Sequence, residues 1–251
     1  MAYAFSDRPF RGDRVSRVEV LALRHRLQGL STQALLERAI RHEFPGDIAV
    51  VTAFGAESVV LLDAVAQVSR DVPVIFLDTG KHFADTLGYR DRLIAELGLR
   101  DVRVISPDAA MLSLHDPDGT LWQRDPDLCC AIRKVDPLSR ALVGFSAWLN
   151  GRKGGQGGSR AGLPRLEHVD GRVKLNPLAD WDTEAVERAF ETRNLPRHPL
   201  VAEGYLSIGC APCTEPVAPG ADPRSGRWRG RDKDECGIHG GLAADEGESH
   251  G

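Results

Sequence analysis

A doubly wound α/β fold with a mostly parallel sheet is what the chain predicts, on three observations. Short apolar runs at 47–51, 72–77 and 102–105 alternate with stretches of helical length, the pattern of strands joined by crossover helices. The first two runs each end in a glycine turn, Thr52-Ala53-Phe54-Gly55-Ala56-Glu57-Ser58 and Asp78-Thr79-Gly80, where parallel strands present their carboxyl ends to ligands. The chain has 251 residues, of which 42% are hydrophobic, enough to bury one full core without disulfides.

Taken in order, residues 1–17 are polar and arginine-rich and read as a flexible arm. Apolar residues then recur at helical spacing over 18–27 and 31–42; Ser31 can cap the second helix, Leu35, Leu36 and Ala39 face inward, and Phe44-Pro45-Gly46 stops it. The run 47–51 has the uniform apolarity of a strand buried on both faces. It feeds the Gly55 turn and a helix over 59–68, an arrangement that aims free backbone N–H groups at an anion. It is not a Walker loop, because no Gly-Lys-Ser/Thr follows.

The second strand brings Asp78-Thr79-Gly80 to the same crevice, and Gly80 would let a flat base lie against the main chain. A helix over 85–97 and the strand 102–105 complete the alternation. Residues 106–128 look irregular, with a turn at Asp116-Pro117-Asp118-Gly119. A helix bearing Cys129 and Cys130 runs to about 142, with Pro137 bending or breaking it, and Lys134 lies one turn beyond the doublet. After a strand tip at 147–150 comes a glycine-rich loop bracketed by Arg152, Lys153 and Arg160. A linker would share that composition, but guanidinium forks suit sulfate or phosphate oxygens. A strand at 173–178 follows, then a helix to 192 capped by Asp182 or Thr183, with Val186, Ala189 and Phe190 inward.

Five cysteines punctuate this frame. Cys129-Cys130 and Cys210-Ala211-Pro212-Cys213 form two pairs whose thiolates suit an iron–sulfur cube or a tetrahedral zinc. The doublet favours the cube, since adjacent cysteines on one helical turn point apart and a wide cluster offers each a separate iron. Cys236, in Asp234-Glu235-Cys236-Gly237-Ile238-His239, is left over and reads as a reactive thiol. The N-terminus carries no export signal and no stretch is apolar enough to span a bilayer, which points to a soluble cytoplasmic protein with metal-bound or catalytic cysteines. A net charge of −4 and a pI near 6.1 speak against a general nucleic-acid partner.

Together, residues 52–58, Leu77-Asp78-Thr79-Gly80, Cys129-Cys130, residues 176–181, residues 208–214 and the 235–239 tail resemble the iron–sulfur branch of the assimilatory adenylyl-sulfate reductases, from about residue 47 to residue 239. The resemblance implies an ATP-pyrophosphatase-like (adenine nucleotide alpha hydrolase-like) domain over 18–209, with a cluster-ligand turn and mobile catalytic tail over 210–251. It implies that adenosine 5′-phosphosulfate is reduced to sulfite and AMP by thioredoxin or a glutaredoxin-like reductant; a homo-oligomer is compatible with it. Carried over by residue, Cys129, Cys130, Cys210 and Cys213 would hold one 4Fe-4S cluster, and Cys236 would be the nucleophile. Thr52, Gly55, Leu77, Asp78, Thr79 and Gly80 would hold the adenosine half, and Lys134, Arg160, Arg224, Arg227 and His239 the phosphosulfate. Two alternatives stay open: an enzyme that also uses 3′-phosphoadenylyl sulfate, and a non-enzymatic metal-binding nucleotide sensor, for which a fifth, tail-borne thiol has no use.

Overall fold

The computed structural model describes residues 15–154, 162–231, 233 and 235–239. Helix α1 (Arg17–Leu27) starts in a capping box: Ser16 accepts from the Glu19 amide, and Glu19 reaches back to the Ser16 amide. Residues 15–17 of the arm expected over 1–17 are thus bound into the fold, and residues 1–14 lie outside the described residues. Val15 is buried, donates to Gly171 O at 2.6 Å and accepts from His168 Nε2 at 2.8 Å.

Helix α2 (Thr32–Arg38) is capped by Ser31, as expected, and widens into a π turn at Ala39–Glu43. The buried Glu43 carboxylate binds Arg26 and Arg38 there, both at 2.8 Å. Strand β1 (Ile48–Thr52) leads to α3 (Ser58–Val68), β2 (Val74–Leu77) to α4 (Ala84–Leu97), and β3 (Val102–Ile105) to a region where the sequence showed no periodicity. That region holds two short helices, α5 (Ala109–His115) and α6 (Leu121–Arg124), the first capped by Asp108.

The expected helix through the cysteine doublet is three pieces in one line: α7 (Pro126–Cys130), a π turn at Ala131–Val135, and α8 (Asp136–Ala141). Pro137 sits in the first turn of α8, where its missing N–H costs nothing; it begins a helix instead of breaking one. Strand β4 (Ala147–Leu149) follows. Next comes β5 (Leu166–Val169), a strand absent from the sequence reading, paired antiparallel with β6 (Arg172–Leu175). Its signal was Asp170-Gly171: both residues take left-handed φ, 51° and 75°, the two-residue turn that matches strand twist. Helix α9 (Thr183–Arg193) is capped by Asp182 and buries Val186 and Phe190.

The six strands lie in the order β3-β2-β1-β4-β6-β5, parallel except at the β5 edge. Alternate residues of β1 divide the core. Ile48 and Val50 pack with α1 to α4 and α9; Ala49 and Val51 pack with Leu138 and Leu142 around α8. Helices thus cover both faces, as doubly winding requires. The strand order reverses between β1 and β4, so the crevice between their carboxyl ends is where a ligand would enter.

Candidate active site

A cavity of about 210 Å³ opens at that switch point. One wall is the turn after β1. Thr52 Oγ1 accepts the Phe54 amide at 3.1 Å, and Phe54, fully buried at φ 48°, packs edge-on against Phe76 at 5.5 Å. Gly55 passes so close to the 207–209 segment that a Cβ there would stand 3.0 Å from Ile208 O. At the start of α3 no side chain caps the helix, and the Gly55 and Glu57 carbonyls accept the Ser58 and Val60 amides at 3.1 and 3.2 Å.

Of the expected adenosine-binding residues, Thr52, Gly55, Leu77 and Thr79 line this cavity; Asp78 and Gly80 are not among its walls. Asp78 instead accepts the Gly80 amide at 2.9 Å, closing a turn in which Gly80 has φ 66° and faces the Arg133 guanidinium. Gly80 thus completes the turn beside Arg133. The cavity lining also includes Lys134, Arg224, Arg227, Cys236 and His239, residues spread over more than a hundred positions of sequence. Arg160 lies outside the described residues.

Of the glycine-loop cations, Arg152 and Lys153 line the same cavity, each beside a carboxylate. Lys153, buried, pairs with Glu57 at 2.6 Å, and Arg152 binds Glu167, so both are engaged by carboxylates. Their signal would have been the acids at positions 57 and 167, which local reading cannot pair with them. Glu215 receives Arg229 at 3.1 Å.

The tail is docked as far as it is described. Glu235 pairs with Arg224 at 3.3 Å, Lys233 binds Asp127 on α7, and Arg231 donates to Trp122 O. Ile238 packs on the α8 side of the core, and the His239 ring lies parallel to Trp148, centroids 6.3 Å apart at 5°. Cys236 is half-buried.

Beneath the first cavity lies a smaller one ringed by Cys129, Cys130, Cys210 and Cys213 together with Lys81, Arg133 and Lys134. Cys210 and Lys134 line both. The 210–213 turn is bound into the fold: Ala211 donates to Lys81 O at 2.7 Å, Cys210 Sγ is hydrogen-bonded to Thr79 Oγ1 at 3.3 Å, and Trp228 donates to Cys213 O at 3.2 Å. Arg133 bonds Thr79 O at 2.6 Å and the buried Asp116 carboxylate.

All five cysteines are free thiols. Burial raises the pKa of Cys129 and Cys213, and pushes that of Cys130 up to about 11 against the pull of Lys134. For Lys134, burial opposes the charge, but Cys210, Cys236 and Cys130 more than offset it, so the ammonium is favoured. Among the described residues, no three Cys, His, Asp or Glu side chains converge where one metal ion could be held. Four sulfurs around a cavity edged with cations fit a wide, anionic polynuclear cluster better than a single tetrahedral zinc.

Comparison with known proteins gives the same outline. A family model described as the phosphoadenosine phosphosulfate reductase domain matches residues 47–216. A Mesorhizobium japonicum protein named adenosine 5′-phosphosulfate reductase is 53% identical over 205 residues, 82% of this chain and 81% of its own. A Gloeobacter violaceus protein named phosphoadenosine 5′-phosphosulfate reductase is 42% identical over 238 residues, 93% of this chain and 98% of its own. Among solved structures, the phosphoadenylyl-sulfate reductase of Candida auris in its phosphate complex superposes with a TM-score of 0.66 at 30% identity, covering 81% of this chain and 98% of that one. The FMN adenylyltransferase of Candida glabrata shares the fold alone, at a TM-score of 0.51 and 14% identity, over 83% of this chain and 71% of its own.

Proposed function

The chain belongs to the phosphoadenosine phosphosulfate reductase family, and we propose that within it this protein reduces adenosine 5′-phosphosulfate to sulfite and AMP, for sulfate assimilation, with electrons from a thioredoxin-type dithiol. The observation that carries the reading is one cavity at the switch point whose walls combine a free thiol, Cys236, with Lys134, Arg224, Arg227 and His239. The adenosine half lies along Thr52, Gly55, Leu77 and Thr79, with the phosphate toward the uncapped start of α3.

The sulfur of a phosphosulfate is electrophilic but screened by anionic oxygens. A soft thiolate among cations is the group that can reach it. Cys236 Sγ attacks that sulfur, the bond from sulfur to the bridging oxygen breaks, and AMP leaves with the electron pair while Lys134, Arg224 and Arg227 neutralise the developing charge. The product is an S-sulfocysteine on Cys236. A thiolate of the partner then attacks Cys236 Sγ, sulfite departs with the pair from the S–S bond, and the partner's second thiol resolves the mixed disulfide, returning the Cys236 thiol. Cys129, Cys130, Cys210 and Cys213 would hold a 4Fe-4S cluster, which supplies a fixed anionic field beside Lys134. No described helix is long and apolar enough to cross a membrane.

The test is sulfite release by anaerobically purified protein given adenylyl sulfate and thioredoxin, with mass spectrometry of protein given substrate but no reductant. Sulfite and one added SO3 on the Cys236 peptide are expected. Stoichiometric zinc without acid-labile sulfide, or an unmodified Cys236, would overturn the reading. That a Gloeobacter relative is named for the 3′-phosphorylated nucleotide supports a second reading, in which both nucleotides are used; their relative turnover decides it.

A further inference from the structure

We propose that Lys174 seats the nucleophile-bearing segment: its ammonium group, in the middle of β6, holds the His239 carbonyl and thereby positions Cys236 at the wall of the pocket. The proposal rests on the reading of Cys236 as the nucleophile for its catalytic consequence, though not for its structural one.

A lysine inside a strand that is buried on both sides is an expensive choice. Lys174 is wholly inaccessible to solvent, between the buried Val173 and Leu175. Strand register explains what holds it there. Trp148 of β4 and Glu167 of β5 are its direct cross-strand neighbours, so aromatic, ammonium and carboxylate form one row across three strands. The Nζ lies 5.2 Å from the centre of the Trp148 ring and 3.4 Å from Glu167 Oε1, and it donates to His239 O at 3.0 Å.

An ammonium has three donors, and the tail takes one of them. Glu167 cannot satisfy the charge alone, because Arg152 and Asn176 share its Oε1 oxygen, Asn176 at 2.6 Å. The backbone carbonyl of the tail is therefore part of the solvation shell of a buried cation, a charge-assisted bond to an ammonium group shielded from bulk solvent. Trp148 ties the two together, meeting Lys174 through its ring and the His239 imidazole in a parallel stack. Burial, then Arg152, lowers the lysine pKa to about 8, with Glu167 and Glu235 acting against them. The group is charged at neutral pH.

Lys174 is thus a positioning residue, three positions of tail away from the reacting sulfur. Replacing it by methionine keeps the length and removes the donor. In Lys174→Met, amide exchange over residues 235–239 and alkylation of Cys236 by iodoacetamide should each speed up about tenfold, the size of one charged hydrogen bond, and kcat should fall by a similar factor with KM for the nucleotide within about twofold. A purely structural role would lower thermal stability while leaving tail exchange at the parent rate, and that result overturns the proposal. Should the methionine variant not fold, the same measurement on Lys174→Gln, which keeps a neutral donor, is expected to show faster exchange and alkylation; parent rates there also overturn it. Faster exchange without any change in kcat would overturn the positioning role, leaving Lys174 as a tail contact only, while the identity of the nucleophile is tested separately by the SO3 label on the Cys236 peptide.

Discussion

The two sides of the pocket are held by different kinds of force. The turn after β1 is fixed by burial: Phe54 and Phe76 are fully enclosed, and Gly55 is pressed against the Ile208 backbone. The tail opposite is fixed mainly by polar and aromatic contacts, Arg224 with Glu235, Lys233 with Asp127, Arg231 with Trp122, and Lys174 with His239, together with the packing of Ile238 on the α8 side of the core. Water can replace the more exposed of these, such as Lys233 with Asp127, one at a time, whereas a core aromatic cannot leave without exposing its whole area. The nucleotide side is therefore the more deeply packed of the two, and releasing the tail would expose less apolar area than unpacking the turn. The proposed mechanism, in which Cys236 meets first a nucleotide and then a partner dithiol, needs that inequality.

The strongest test is Cys236→Ser. Because the tail is held by other residues, the serine variant should keep its thermal stability and its nucleotide affinity while sulfite release drops at least about a thousandfold. A serine variant that still released sulfite would remove the chemistry from the tail altogether.

Next in size is an effect confined to the scaffold. His198, buried beside α4, accepts the Leu200 amide on Nδ1 at 3.2 Å and is hydrogen-bonded to Thr86 through Nε2 at 3.1 Å. Burial, against a weaker pull from Asp85, lowers its pKa from 6.5 to about 4. The unfolded chain takes up a proton as pH falls through 6.5, and the folded protein does so only near 4. The His198 contribution to stability is therefore flat above 6.5 and declines between 6.5 and about 4, by up to about 3 kcal/mol. Denaturant titrations at several pH values should show this slope in the parent and not in His198→Gln. An equal slope in both would place the acid sensitivity elsewhere, in the tail contacts for example.

The smallest effect lies where the two sides meet. A Cβ at Gly209 would come within 2.3 Å of the Arg227 guanidinium, the movable end of a long side chain. Gly209→Ala should displace that cation and raise the nucleotide KM about tenfold, the worth of roughly one charged contact, with little change in melting temperature. A large loss of stability instead would mean that Arg227, which donates to Cys213 O at 3.3 Å, is structural first and substrate-binding second.

Much of this arrangement is written locally. The apolar runs of β1, β2, β3 and β4, the caps Ser31 and Asp182, the glycine turns, the two cysteine pairs and the lone tail cysteine are legible because each depends on neighbours a few positions away, through strand periodicity, capping geometry and turn chemistry. Three things were decided only in the folded molecule. The doublet and the 210–213 turn meet around one cavity because β2, β1 and the crossover helices bring Thr79, Lys81 and Lys134 between them. Arg152 and Lys153 turn to carboxylates of β5 and the Gly55 turn instead of standing free. Lys174 becomes a tether because strand register puts it between Trp148 and Glu167 and beneath a carbonyl more than sixty residues later. Sequence periodicity tells which way a side chain faces; which groups it then meets is set by strand order and register, which join segments with no local trace of one another.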